Sequence, residues 1–360
     1  MSDSPVMQLF KENDFVKVCA PMVRYSKLAF RSLVRLYNCQ LCFTPMILAD
    51  SFIQSSKARN NEFTTNKGDR PLIVQFAAKD PSDFATAAEM VASYSDGVDL
   101  NCGCPQRWAI NEGYGVDLLR KPHLIRDLVL QVKNRIPGPY TVSVKLRIME
   151  DLRKSIELCR TLENAGVSFL TVHARTPTQR YEPVNEDALR EIKNSIRVPL
   201  IANGDVKSFS AAKLLQEKTY CDGVMAARGI LTNPALFAGH CVTPLACIQD
   251  WVTISTATAT PFQCFHHHLV FMLEKVLAKP ERLAFNIIKT KELVLDFLAD
   301  YGIVCQNDMK EYSGYSAVEC DYGNNSESQG SFFKEKLGSC CADVQMEDYL
   351  EDVCHLYNMK

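Results

Sequence analysis

The chain offers little that points to a membrane, to secretion or to a metal. In 360 residues no apolar run approaches the ~18 that a bilayer-spanning helix needs. Met1 to Asp14 show no basic region leading into an apolar run, so a secretory leader is not expected. No G-x-G-x-x-G follows the first strand-like segment, which removes the usual sign of a doubly wound dinucleotide-binding sheet. His266-His267-His268 are adjacent, and adjacent helical residues face different ways. RNA contact or plain surface is read there in preference to a metal. Cys39-Gln40-Leu41-Cys42 has zinc-like spacing but starts a strand, where its thiols are expected on opposite faces. It is read as structural cysteine. No metal site is expected.

What is present is ordinary in bulk and uneven in detail. The apolar and charged fractions, 47% and 23%, are those of a globular protein. Fifteen cysteines, an odd number at scattered spacings, read as reduced thiols and so as a protein of the cytoplasm or nucleus. From Cys305 to Lys360 there are 11 acidic and 4 basic residues, a net of −7 against −2 for the whole chain, which leaves +5 on residues 1–304. A mildly basic body tolerates a polyanionic partner without demanding one.

Apolar runs ending in Gly, Pro or polar residues recur at Lys17–Met22, Leu41–Ile47, Pro71–Ala77, Gly97–Cys102, Thr141–Arg147, Phe169–Arg175, Pro199–Gly204 and Gly223–Ala227. Helical periods lie between them, at Ser82–Tyr94, Leu124–Ile136, Leu152–Ala165 and Ser208–Lys218, the last opening on a capping serine. Strand and helix alternate through eight units, the pattern of a parallel sheet. Their span matches a closed (β/α)8 TIM barrel of about 250 residues. Chemistry in such a barrel sits at the C-terminal ends of its strands. In Thr141–Arg147 the apolar Val142, Val144 and Leu146 should face the outer helices, which turns Lys145 inward near the top. Gln75, His173 and Arg175 lie near the ends of their own strands, and Asn203-Gly204-Asp205 and Ala227-Arg228-Gly229 close the last two.

The most informative stretch is Asp99-Leu100-Asn101-Cys102-Gly103-Cys104-Pro105-Gln106, a buried strand that stops and presents an asparagine and a cysteine on a tight loop. Gly103 permits a sharp turn, and Pro105 biases Cys104 towards an extended backbone. In barrels the loops after strands seven and eight often cradle a phosphate. Gly204 allows close approach, Arg228 brings a permanent charge, and Ile230–Gly239 is read as the short helix beyond. A phosphate-bearing cofactor is expected. Inward Lys145 and His173 suit a ring that carries delocalised negative charge, such as reduced flavin.

Seven segments together, in this order, resemble the tRNA-dihydrouridine synthase family, nearest its eukaryotic type-four-like (20a/20b) branch: Ala20-Pro21-Met22-Val23, Pro71–Phe76, Gly97–Pro105, Ser143–Arg147, Thr171–Arg175, Ile201–Asp205 and Asp222–Gly229. The resemblance spans roughly residues 15–304. It implies an FMN-binding barrel over 15–242 and a small helical tRNA-binding domain over 243–304. It also implies reduction of the C5–C6 bond of D-loop uridines, at 20a and 20b, with NADPH or NADH as a transient donor. On the matched positions Cys104 is the catalytic acid. Pro21, Met22 and Val23 line the flavin, Gln75 and Lys145 bond its ring, and His173 contacts it. Asn203, Gly204, Asp205, Ala227 and Arg228 hold the ribityl phosphate end. Asn101 meets the uracil edge. Many relatives carry glycine where this chain has Ala227, whose N–H still donates.

Arg24, Arg107 and Arg175 are candidates for RNA contact, with ion pairing inside the protein as the other reading. Two other functions stay open: a flavin barrel that reduces a free pyrimidine or another small enone, and a non-catalytic RNA-binding relative. Monomer is the default the resemblance implies. Residues 305–360 lie outside it and read as an acidic tail, with a polar disordered stretch at Asn324–Ser331 and one amphipathic helix at Val344–Tyr357.

Overall fold

Helices begin where a short polar side chain precedes the apolar period. In the computed structural model, which describes residues 4–304 and the backbone of Tyr315–Ser316, Asp80 accepts the N–H groups of Ser82 and Asp83 ahead of Pro81–Val91. Ser208 accepts that of Ala211 ahead of Phe209–Thr219. Helices Pro122–Arg135 and Leu152–Asn164 fall where the period places them. The acidic tail expected beyond Val304, with its helix at Val344–Tyr357, lies outside the described residues. Tyr315–Ser316 alone is described there, pairing antiparallel with Thr64–Thr65. No described helix is long and apolar enough to cross a membrane.

Eight parallel strands close on themselves: β1 (Val16–Cys19), β2 (Leu41–Phe43), β3 (Leu72–Ala77), β4 (Gly97–Cys102), β5 (Thr141–Arg147), β6 (Phe169–His173), β7 (Leu200–Asn203) and β8 (Gly223–Ala226). β1 pairs with β8 through Val18↔Met225 and with β2 through Cys19↔Cys42, and β2 pairs with β3, which completes the ring. Alternate side chains fill the interior. Val16, Val18, Leu41, Phe43, Ile73, Phe169, Ile201 and Met225 form one buried apolar cluster. Helix Pro5–Glu12 closes the lower end, with Val6 fully buried in that cluster and Ser4 Oγ 2.9 Å from Thr141 Oγ1. Phe10 packs on Phe169 with ring centroids 5.5 Å apart. Nothing in the strand–helix alternation announced this plug, because its function depends on the finished barrel.

Among the described residues four helices follow the barrel, at Leu245–Ala257, Phe262–Leu273, Lys279–Asn286 and Lys291–Ala299. Leu245–Ala257 docks on the helix of the first β/α unit, Phe262–Leu273 packs against it and against Arg228–Thr232, and the last two helices pack on Phe262–Leu273. His268 is fully buried, stacks on Phe30 at 4.5 Å, lies 4.5 Å from Trp251 and bonds the Tyr25 carbonyl through Nε2. His266 is buried as well and bonds the Phe285 carbonyl. These two histidines are packing residues, which corrects the expectation of surface or RNA contact. Helical period alone does not tell which neighbour will cover a face.

A second correction concerns Cys39 and Cys42. The strand begins only at Leu41, so the pair does not obey strand alternation, and the two sulfurs lie 3.9 Å apart. Both are buried, in keeping with structural thiols.

Candidate active site

Period-two alternation carries polar side chains into the barrel above the apolar cluster. β3 brings Gln75, β4 Asp99 and Asn101, β5 Ser143 and Lys145, β6 Thr171 and His173, and β7 Asn203. Register sets them side by side: Gln75↔Asp99↔Ser143 in one row, Asn101↔Lys145↔Thr171 above it, and Arg147↔His173↔Asn203 above that.

The first row is bonded through. Asp99 accepts from Gln75 Nε2 at 2.8 Å and from Ser143 Oγ at 2.7 Å. Gln75 Oε1 accepts from Asn101 Nδ2 at 2.9 Å. Asn101 Oδ1 accepts the backbone N–H groups of Gly103 and Cys104 at 3.1 and 2.9 Å. Asn101 makes the turn. Gly103 itself has no left-handed φ, and an added Cβ would meet nothing closer than 3.6 Å. The glycine is therefore not what bends this loop, as the sequence suggested; an asparagine side chain folded back on its own backbone does so.

Two further contacts hold the Cys104 loop. Arg147 donates from Nε to the Gly103 carbonyl at 3.1 Å, and from one terminal nitrogen to the carbonyls of Thr176 and Gln179, each at 2.9 Å. Gly115 sits at φ +63, and a Cβ there would lie 2.4 Å from the Cys104 carbonyl oxygen. Cys104 packs against a buried cluster of Ala77, Ala109 and Tyr114, which Met46, Leu48 and Trp108 also cover. Its nearest polar partner is Gln106 Oε1 at 3.9 Å, an oxygen that also accepts from Trp108 Nε1 at 2.7 Å. Burial pushes the thiol pKa up, while Arg147 and Lys145 pull it down. Cys104 is thus protonated near neutral pH, with cations at hand to stabilise the thiolate it leaves on giving up its proton.

Lys145 makes no hydrogen bond or ion pair among the described residues. Burial lowers its pKa to about 8, against the pull of Asp99. His173 is driven well below the usual imidazole range by burial and by Lys145, Arg147, Arg175 and Arg228, so it is neutral at working pH.

Arg175 turns inward. It is 2% exposed, reaches Asp205 at 2.6 Å and His173 Nε2 at 3.3 Å, and donates from Nε to the Glu182 carbonyl. Its ionic partner is inside the protein, and its position is that of an anchor for the loop after β7, not of an exposed RNA contact. Arg24 and Arg107 are exposed.

That loop carries Gly204 at φ +134 and Asp205 at φ +52. After β8 comes a short helix, Arg228–Thr232, and then a 3-10 turn, Leu236–Ala238. The expected single helix is broken because Asn233 Oδ1 caps the Ala235 N–H. A Cβ on Gly229 would lie 2.0 Å from the Val206 carbonyl oxygen, so only glycine lets this helix start against the β7 loop. Asn203 bonds the Met225 carbonyl at 3.0 Å, tying the two strand ends together. Arg228 is exposed over the Tyr181 ring. Pro21, Met22 and Val23 follow β1, and Met22 and Ala227 both pack on the apolar cluster below.

These residues fit a flavin phosphate. The mouth holds an unpaired ammonium at Lys145 and a fully buried, unpartnered hydroxyl at Thr171 on the adjacent strand. It has an apolar floor, and a cationic, glycine-lined corner where β7 and β8 end. Sequence reasoning found most of this set. It missed Asp99, Ser143, Arg147 and Gly115, although alternation along β4 and β5 places the first three on the inward face.

The family model described as "Dihydrouridine synthase (Dus)" matches residues 18–291. A mouse protein named "tRNA-dihydrouridine(20a/20b) synthase (NAD(P)+)-like" is 53% identical over 296 residues, covering 82% of this chain and 91% of its own. A Schizosaccharomyces pombe protein named "tRNA-dihydrouridine(20a/20b) synthase (NAD(P)+)" is 41% identical over 316 residues, covering 88% of this chain and 96% of its own. Among solved structures, an old yellow enzyme homologue from Zymomonas mobilis aligns with 62% of this chain and 87% of its own, at 13% identity and a TM-score of 0.47, a likeness from which no chemistry transfers. With its inward polar rows intact and three quarters of its length matched, the chain belongs to the dihydrouridine synthase family.

Proposed function

We propose that this protein reduces the C5–C6 double bond of uridine in the D-loop of tRNA, at positions 20a and 20b, with FMN bound at the barrel mouth and NADPH or NADH as reductant. Bound FMN supplies the hydride that uracil C6 receives. Lys145, Gln75 and His173 hold its ring, and Pro21, Met22 and Val23 pack against it. Asn203, Gly204, Asp205, Ala227 and Arg228 hold its phosphate end. The unpaired Lys145 ammonium and the neutral His173 support this arrangement. A ring that gains negative charge on reduction needs a cation there, and a neutral imidazole donates without adding a second one.

Cys104 gives its proton from Sγ to C5, which completes the two-electron reduction, and regains a proton from water. Its raised pKa keeps the proton on sulfur until transfer, and Lys145 and Arg147 stabilise the thiolate left behind. Asn101 spends one N–H on Gln75 and keeps the other for a uracil carbonyl. The uridine must leave its stack to reach this mouth. Helix Phe262–Leu273 stands beside the mouth, bonded to the loop after β1 by Cys264 to the Arg24 carbonyl at 3.5 Å and by His268 to Tyr25. In this reading the helical region over 243–304 and Arg24 and Arg107, both exposed, take the RNA backbone.

The observation that carries the proposal is the single bonded chain that gathers Cys104, Asn101 and Gln75 beside an unpaired Lys145. The test is incubation with unmodified tRNA, FMN and NADPH, followed by mapping of dihydrouridine at nucleotide resolution. Signal at D-loop uridines supports the reading. Equal reduction of free uridine, or none of tRNA by flavin-loaded protein, overturns it.

A further inference from the structure

We propose that Asp99 is a positioning residue: its buried carboxylate ends a one-way chain of hydrogen bonds that fixes both amides of the mouth and the backbone of the Cys104 loop, and its charge is the counter-charge of Lys145. The inference rests on the reading of the mouth given above and deepens it.

The direction of the chain follows from its ends. The N–H groups of Gly103 and Cys104 can only donate, so the Asn101 amide must turn its oxygen to them. Its nitrogen then faces Gln75, whose oxygen must accept. The Gln75 nitrogen in turn needs an acceptor, and Asp99 provides it. Ser143 donates to the other carboxylate oxygen. Fully buried and facing two donors, Asp99 is built to be an anion. Burial raises its pKa, and Ser143, Gln75 and Lys145 limit the rise to about 6, so it is ionised at neutral pH.

Two consequences reach the ligand. With both amides oriented, what Gln75 and Asn101 have left to offer includes an N–H from each, beside the Lys145 ammonium. A ligand must therefore present acceptors there, such as the carbonyl oxygens of a pyrimidine ring. A neutral residue at position 99 lets the Gln75 amide reverse and offer its oxygen instead. The second consequence concerns Lys145. The groups that face it are Asp99 on β4, Cys104 on the following loop, Arg147 on its own strand and His173 on β6. Asp99 and Cys104 favour the ammonium, whereas burial and Arg147 oppose it.

The test follows Lys145 directly. Full-length protein with 13C at lysine Cε is titrated by NMR, the Lys145 signal being assigned by its loss in Lys145→Met. In Asp99→Asn its midpoint is expected to fall by about one pH unit. Ser143→Ala, which keeps the charge but weakens its support, is expected to move it the same way by less. The alkaline limb of dihydrouridine formation should move down with it, through kcat and not through KM for tRNA. An unchanged Lys145 midpoint in folded Asp99→Asn overturns the proposal. If that variant does not fold, an unchanged midpoint in folded Asp99→Ser, which also removes the charge, does so. A shifted midpoint in a protein that never forms dihydrouridine sustains the role of Asp99 and instead rejects the uridine reading.

Discussion

Asn101 holds Cys104 in place: its side-chain oxygen accepts the Cys104 backbone N–H at 2.9 Å while its nitrogen donates to Gln75. The residue proposed to meet the substrate is thus also the residue that shapes the loop of the proposed proton donor. Asn101→Ala leaves two loop N–H groups and the Gln75 oxygen without their partner. Stability should fall by about 1–3 kcal/mol. Dihydrouridine formation should fall by about 100-fold or more, since a misplaced donor of about 1 Å has that effect. Thermal unfolding and a tRNA assay measure both. A stable variant with normal activity contradicts the loop's dependence on Asn101.

Gly115 supports the same loop from behind. Gly115→Ala places a Cβ 2.4 Å from the Cys104 carbonyl oxygen at a backbone φ of +63. The loop must shift, so dihydrouridine formation should drop at least tenfold while FMN content stays near normal. A stability loss of about 1–3 kcal/mol accompanies it. Loss of FMN with the loop chemistry intact is the opposite pattern and argues against this placement.

Arg175 acts through Asp205 and His173. Arg175→Lys cannot reproduce the fork that reaches Asp205, His173 and the Glu182 carbonyl together. Affinity for FMN should fall by about tenfold, one charged hydrogen bond's worth. Affinity of the flavin-free protein for tRNA should not change. Weaker tRNA binding with normal FMN binding restores Arg175 as an RNA contact.

His173 should remain neutral across the working range. Burial and four nearby cations all push its pKa down. The 15N shifts of its ring should therefore not move between pH 5 and pH 8, and no acidic limb in that range should trace to it. A midpoint above pH 5 contradicts the cationic environment described for the mouth.

Much of this was legible in the sequence because alternation is local. Apolar runs with polar ends placed eight strands, alternation along Thr141–Arg147 turned Lys145 inward, and Gln75 and His173 stood out as polar residues near the ends of their own strands. The same rule applied to Gly97–Cys102 puts Asp99 beside Asn101 on the inward face, but a carboxylate in a buried strand reads as an anomaly until its partners Gln75 and Ser143 are known. Gly115 was not legible, and for Arg147 alternation gave the inward face but not its role. Each acts on the Cys104 loop through contacts that only the closed barrel creates. The burial of His266 and His268 likewise depends on Phe30 and Phe285, which no helical period reveals.

The central claim is that Cys104 delivers the proton to uracil C5. It is tested most directly by nucleotide-resolution mapping of dihydrouridine in unmodified tRNA, comparing the native protein with Cys104→Ala, each loaded with FMN and supplied with NADPH. The expected result is signal at D-loop uridines for the native protein, and little or none for a variant that still binds FMN and still oxidises NADPH. Normal dihydrouridine formation by Cys104→Ala contradicts the claim.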